Sequence, residues 1–150
     1  MGLDVVGLFG DLVRLETELW NRVEAQVQQA HGVPLAWLEV TQVVAATTDC
    51  RVLDIARALS ITVGGASKVV DRLEAGGLCR RQPNPTDGRS SFISLTASGE
   101  SLLEAGTATC ARTLDGLIGT ALPADELAEL SVTLRRLRQH LARSRLATIG

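Results

Sequence analysis

Between Val52 and Leu95 the hydrophobic period changes from that of a helix to that of a strand, and this change restricts the chain to a few architectures. Val52, Ile55, Ala56 and Leu59 recur at helical spacing, which predicts a third, short helix of about eight residues. Ser60-Ile61-Thr62 break the pattern and offer a hydroxyl to cap the next helix. There Ala66, Val69, Val70 and Leu73 fall at i, i+3, i+4 and i+7, so they define its buried face. Geometry then turns Gly64, Gly65, Lys68, Asp71, Arg72 and Ala75 outward, with Ser67 at the edge. Gly76-Gly77 close that helix. Beyond Leu78, Cys79-Arg80-Arg81-Gln82 reads as a strand and Phe92-Ile93-Ser94-Leu95 as its return. Between them Pro83-Asn84-Pro85-Thr86-Asp87-Gly88 is dense in turn residues, which predicts a hairpin with a long, polar, arginine-tipped loop.

The flanks are helical. Val5, Leu8, Leu12, Leu15, Leu19, Val23 and Val27 predict one amphipathic helix from Leu3 to about Gln29, stopped by His31-Gly32-Val33-Pro34. A second helix follows over about 34–47, and Asp49 to Arg51 form a turn. Thr96 caps a helix running to about Ala121, and Pro123 with Asp125 and Glu126 opens a last one. In it Leu127, Leu130, Leu134, Leu137 and Leu141 step by three and four, the spacing of a helix that packs on other helices. These terminal stripes exceed what the core of a 150-residue monomer covers, so a homodimer is expected. The fold class is therefore mainly α with a small β-hairpin wing, a winged helix-turn-helix joined to a helical dimerisation region.

Charge places a partner on the middle of the chain. The net charge of −2 hides a strong asymmetry. Residues 1–50 hold two basic residues against seven acids, 51–95 hold seven against four, and 96–150 balance at six each. A basic module within an acidic chain is the footprint of a polyanion partner. Hydrophobic residues at 45% and charged residues at 21% are those of a globular chain. No apolar run approaches the roughly 20 residues that span a bilayer. The N-terminus lacks a basic segment of the secretory kind, and Val6 does not fit a myristoylation motif, so a cytoplasmic protein is expected. Cys50, Cys79 and Cys110 form no CxxC pair and His31 and His140 stand alone, so neither disulfide framework, metal nor cofactor is expected. No Ser-His-Asp order, HExxH or paired carboxylates suggest an enzyme.

The stretch TVGGASK, residues 62–68, superficially suggests a phosphate-binding loop. In that loop Lys directly follows Gly and the segment lies between a strand and a helix, whereas here Lys68 follows Ser67 and a helix precedes Thr62. The glycines instead fall in the first turn of a helix that can enter a DNA groove, bringing its backbone close to the duplex. A helix fits the major groove, and a hairpin bearing arginine reaches phosphates or the minor groove beside it. Ser67, Lys68 and Arg72 on the helix, with Arg80, Arg81 and Arg89 on the hairpin, are the candidate contacts.

DGRSSFISLTASG, Asp87 to Gly99, resembles the D-x-R wing followed by L-T-x-x-G of the MarR family of transcriptional regulators. LDIARALSITVGGASKVVDRLEAGGLCRRQPNPTDGR before it is similar to that family's helix-turn-helix and wing. The resemblance implies a homodimer reading a palindromic operator in double-stranded DNA. It divides the chain into an N-terminal dimerisation helix (1–32), a winged helix-turn-helix module (33–95) and C-terminal dimerisation helices (96–150), one intertwined domain. It also implies that Arg89 enters the minor groove, that Asp87 positions it through a side-chain pair, and that Thr62 opens the recognition helix, where a hydroxyl and backbone N–H groups can hold a phosphate.

Family members typically repress transcription and release DNA when a small, often phenolic, ligand binds. Arg14, Trp20, His31 and Trp37 are the candidate ligand contacts, offering an apolar wall and a partner for an aromatic carboxylate. Two other readings remain open. One is a DNA-binding regulator without an effector. The other is a thiol switch at Cys79, whose cationic neighbour Arg80 could lower its pKa; the chain departs from the family's peroxide sensors in having no Cys before position 50 and no Tyr.

Overall fold

The computed structural model describes residues 2–147, with side chains described as far as residue 144. The elements follow in the order α1 (Val5–His31), α2 (Leu35–Ala46), α3 (Val52–Leu59), α4 (Val63–Ala75), β1 (Cys79–Asn84), β2 (Asp87–Leu95), α5 (Ala97–Leu114) and α6 (Ala124–Ala147). A π-helical turn, Asp115–Gly119, follows α5, so the helix expected to reach Ala121 changes its winding at Leu114. The chain divides into two compact units, Met1–Thr113 and Leu114–Gly150.

Caps explain the boundaries. The Asp4 carboxylate accepts from the Gly7 N–H at 2.9 Å, so α1 starts at Val5 rather than Leu3. Gly32, at φ 69°, ends α1 in a left-handed turn whose N–H donates to the Gln28 carbonyl at 2.9 Å. The turn into α2 is closed by the Leu35 N–H, which donates to Glu24 Oε2 at 2.7 Å. Thr62 caps α4 by accepting from the Gly65 N–H at 3.0 Å.

One core holds α2, α3, α4 and the hairpin together. Val40 and Val44 from α2, Ile55 from α3, Val70 and Leu73 from α4 and Ile93 from β2 are buried in a single cluster. Full burial of each such side chain is worth about 1.5–3 kcal/mol. Val69, expected on the buried face of α4, is only half buried at the margin of this cluster. β1 and β2 pair antiparallel with Cys79 opposite Leu95 and Arg81 opposite Ile93. Both strands are longer than the sequence suggested. Their connection is the two-residue turn Pro85-Thr86, not a long loop.

The tight turn is possible because Asn84, 4% exposed, satisfies it from within. Its Oδ1 accepts from the Thr86 N–H at 3.0 Å and from the Thr86 hydroxyl at 2.8 Å, and its Nδ2 reaches Ser90 Oγ at 3.1 Å.

The far end of the hairpin is fixed to α4 and α5 through backbone. The Thr96 hydroxyl donates to the Gly77 carbonyl at 2.6 Å and accepts from the Gly99 N–H at 3.1 Å, and the Thr96 N–H donates to the Leu78 carbonyl at 3.1 Å. A Cβ on Gly99 would run into the Leu78 carbonyl oxygen, so only glycine permits this approach. The L-T-x-x-G pattern read from the sequence is thus a joint between the start of the wing and the start of α5.

Candidate nucleic-acid interface

The first turn of α4 is bare. Gly64 has nothing within 4 Å of where a Cβ would stand, whereas a Cβ on Gly65 would meet Thr62 Oγ1 at 3.0 Å. The two glycines therefore differ: a side chain at 65 disturbs the cap, and one at 64 projects into open space. Lys68 and Arg72 are exposed farther along the helix, and Ser67 is half exposed. On the hairpin, Arg89 is exposed three residues past the turn, and Arg80 is exposed with its Nε 3.4 Å from Ser94 Oγ.

Asp87 does not pair with the Arg89 side chain. Its Oδ1 accepts from the Arg89 backbone N–H at 3.0 Å, so it shapes the chain entering β2 and leaves the guanidinium free of that bond.

Arg81 differs from its neighbours. Its guanidinium forms ion pairs with Asp71 at 2.6 Å and Glu74 at 2.7 Å, both on α4, and its backbone N–H donates to Glu74 Oε1 at 3.1 Å. The Arg81 backbone N–H, followed by its guanidinium, holds the Glu74 carboxyl below the usual carboxylate range. Arg81 is thus committed within the protein, in contrast to its assignment beside Arg80 as a DNA contact. The alternation of a strand explains the split, since Arg80 and Arg81 point to opposite faces.

The thiol reading of Cys79 rested on a basic neighbour. In the structure Cys79 is buried and its thiol lies 3.7 Å from the Val70 carbonyl, to which it donates. Burial, with a smaller push from the Glu74 charge, raises its pKa to about 11 against the opposing effect of Arg81. A protonated, enclosed thiol is a poor nucleophile. Cys50 is likewise pushed up to about 11 by burial and by Asp54.

The residues assigned to a ligand do not line a common pocket. Arg14 pairs with Asp11 at 2.8 Å, and His31 Nε2 lies 2.9 Å from Thr109 Oγ1, joining the end of α1 to α5. Trp37 packs beside the core near Gly76, and Trp20 is half exposed on α1. A groove of about 700 Å³ in the first unit contains none of the four. Its walls include Val44, Phe92 and Leu103, and its charged groups are Asp49, Glu100 and Glu104. Sequence reading missed this groove because residues from α2, β2 and α5 converge only in the fold.

Fold and surface together define a winged helix-turn-helix protein, with a recognition-type helix bare at its first turn and a hairpin carrying exposed arginines. Residues 31–90, which hold most of this module, match the MarR family model. The multiple antibiotic resistance protein MarR of Escherichia coli is 30% identical over 84 residues, 56% of this chain and 58% of that protein. The chain spans just under three fifths of the length of the curated relatives it matches. A MarR family transcriptional regulator from Streptomyces coelicolor, solved in complex with DNA, shares the fold with a TM-score of 0.82 at 22% identity, over 94% of this chain and 91% of that one. CouR from Rhodococcus jostii RHA1, bound to p-coumaroyl-CoA, does so with a TM-score of 0.75 at 19% identity, over 89% and 92%. Over residues 31–90 the chain is similar to the MarR family.

Gly64 provides a clean test of the bare surface. Gly64→Ala should raise stability by about 0.5–1 kcal/mol, because alanine removes unfolded-state freedom without a clash. Gly64→Leu should keep the fold and abolish tight binding to duplex DNA in an anisotropy titration. Full affinity for Gly64→Leu would show that α4 does not approach a groove through this turn.

Proposed function

We propose that the chain is a sequence-specific DNA-binding transcriptional regulator that acts as a homodimer on a palindromic operator and represses until a small ligand releases it. The observation that carries this reading is the exposed set of Lys68 and Arg72 on α4, a helix bare at its first turn, with Arg80 and Arg89 on the hairpin. Among the described residues these cations form no carboxylate ion pair, which leaves them able to meet phosphates and base edges. The Thr62 cap orients the N–H groups of the first turn where a backbone phosphate can sit. Support also comes from the Streptomyces regulator of the same fold, which was solved with DNA.

Dimerisation is supported by apolar surface on the terminal helices. Val5, Leu8, Phe9 and Leu15 on α1 are exposed, as are Leu130, Leu134, Leu137 and Leu141 on α6. Stripes of this kind on a soluble chain mark an interface. In this reading residues 1–32 and 96–150 supply the dimerisation helices and 33–95 the DNA module.

The ligand part of the reading attaches to the groove lined by Val44, Phe92 and Leu103 rather than to Arg14, Trp20, His31 and Trp37. The groove's described lining carries Asp49, Glu100 and Glu104, against the one guanidinium of Arg51 that stacks on the Phe92 ring at 5.4 Å, so an acidic surround disfavours an aromatic carboxylate. A neutral or cationic aromatic compound suits it better.

Two measurements test the reading. A duplex selected from a random-sequence pool by the wild-type protein should bind Arg89→Ala about 1–3 kcal/mol more weakly, with the fold unchanged. Unchanged affinity would remove the wing from the interface. In the second, neutral and cationic aromatics should raise the melting temperature and weaken that binding, while phenolic acids do neither. A phenolic acid with both effects would contradict the groove assignment.

A further inference from the structure

The first strand of the wing meets α4 along one face. Cys79 and Arg81 lie two apart on β1 and so project to the same side. The Cys79 thiol reaches the Val70 carbonyl, and one step along the strand Arg81 reaches Asp71 and Glu74. Asp71 and Glu74 are one helical turn apart, so a single guanidinium bridges both. The Arg81 side chain is 24% exposed, against 61% for Asp71 and 41% for Glu74. The cation is therefore the shielded member, enclosed between two carboxylates at the surface. The backbone N–H of the same residue also bonds to Glu74, so the link holds the strand itself as well as a side chain.

This arrangement has two consequences for a helix that approaches a polyanion. It ties α4 to the hairpin, because Asp71 and Glu74 belong to the helix and the Arg81 N–H and guanidinium belong to β1. It also offsets the two acids on α4, which would otherwise cancel the attraction of Lys68 and Arg72 for phosphate. Its geometry satisfies Arg81 without DNA.

We propose that Arg81 is a positioning residue for DNA recognition: with Asp71 and Glu74 it forms a clamp that fixes the wing relative to α4, and it makes no phosphate contact itself. The proposal rests on the DNA-binding reading above and specifies how that surface is held.

A phosphate contact and a clamp predict different results. Removing a phosphate contact lowers the slope of log Kd against log salt by about 1, whereas removing a positioning group leaves the contact count unchanged. The experiment measures wild type, Arg81→Ala and the double variant Asp71→Asn/Glu74→Gln on the selected duplex and on a scrambled duplex across a salt series. Hydrogen exchange of the β1 and β2 amides is followed without DNA.

The clamp predicts that both variants lose about tenfold or more in the ratio of selected to scrambled affinity, keep the wild-type salt slope, and exchange faster in the hairpin amides. The double variant is decisive. It removes two negative charges and frees Arg81, so a direct phosphate contact would leave it binding as well as wild type or better. That result, or a slope reduced by about 1 for each protomer's Arg81 in Arg81→Ala, overturns the proposal. If wild type selects no duplex, the DNA-binding reading fails, and the clamp is judged on exchange alone, where unchanged hairpin protection in both variants overturns it.

Discussion

The contact of Gly99 with the Leu78 carbonyl is the constraint on which the rest of the winged helix-turn-helix module depends. Where a side chain would collide, glycine lets α5 begin directly against the loop that leaves α4. Thr96 then bonds to both sides of that loop, to the Gly77 carbonyl through its hydroxyl and to the Leu78 carbonyl through its N–H. The hairpin is thus anchored at its base by neutral backbone hydrogen bonds, which are insensitive to salt. Charge governs what happens farther out, at Arg81 beside α4 and at Arg89 beyond the turn. If the module binds DNA as proposed, this separation keeps the wing's anchor independent of ionic strength.

The sequence showed most of the architecture and less of the surface. The boundaries of α3 and α4 were legible because apolar spacing, a capping threonine and a glycine pair agree there. The tightness of the wing turn was not, because Pro83 to Gly88 reads as loop until Asn84 is seen bonding Thr86 and Ser90 from a buried position. The π-helical turn at Asp115–Gly119 leaves no mark in an apolar pattern. The roles of Arg80 and Arg81 could not be separated either, since strand alternation says that they face opposite ways without saying which face meets α4.

Cys79 and the ligand residues show a different limit. A basic neighbour in sequence suggested an acidic thiol, but burial acts on the group more strongly than either adjacent charge. Trp20, Trp37, Arg14 and His31 are attractive by residue type, yet two of them are engaged with Asp11 and Thr109 and none lines the groove of Val44, Phe92 and Leu103. What forms that groove is the convergence of three elements distant in the chain, with carboxylates that no local motif distinguishes.

The central claim is that two copies of the winged module read one duplex. Hydroxyl-radical footprinting on the selected duplex tests it most directly. The account predicts two protected half-sites with centres one helical turn apart, roughly 34 Å, each with protection of a flanking minor groove where Arg89 enters. A single protected site with no symmetry-related partner would contradict it.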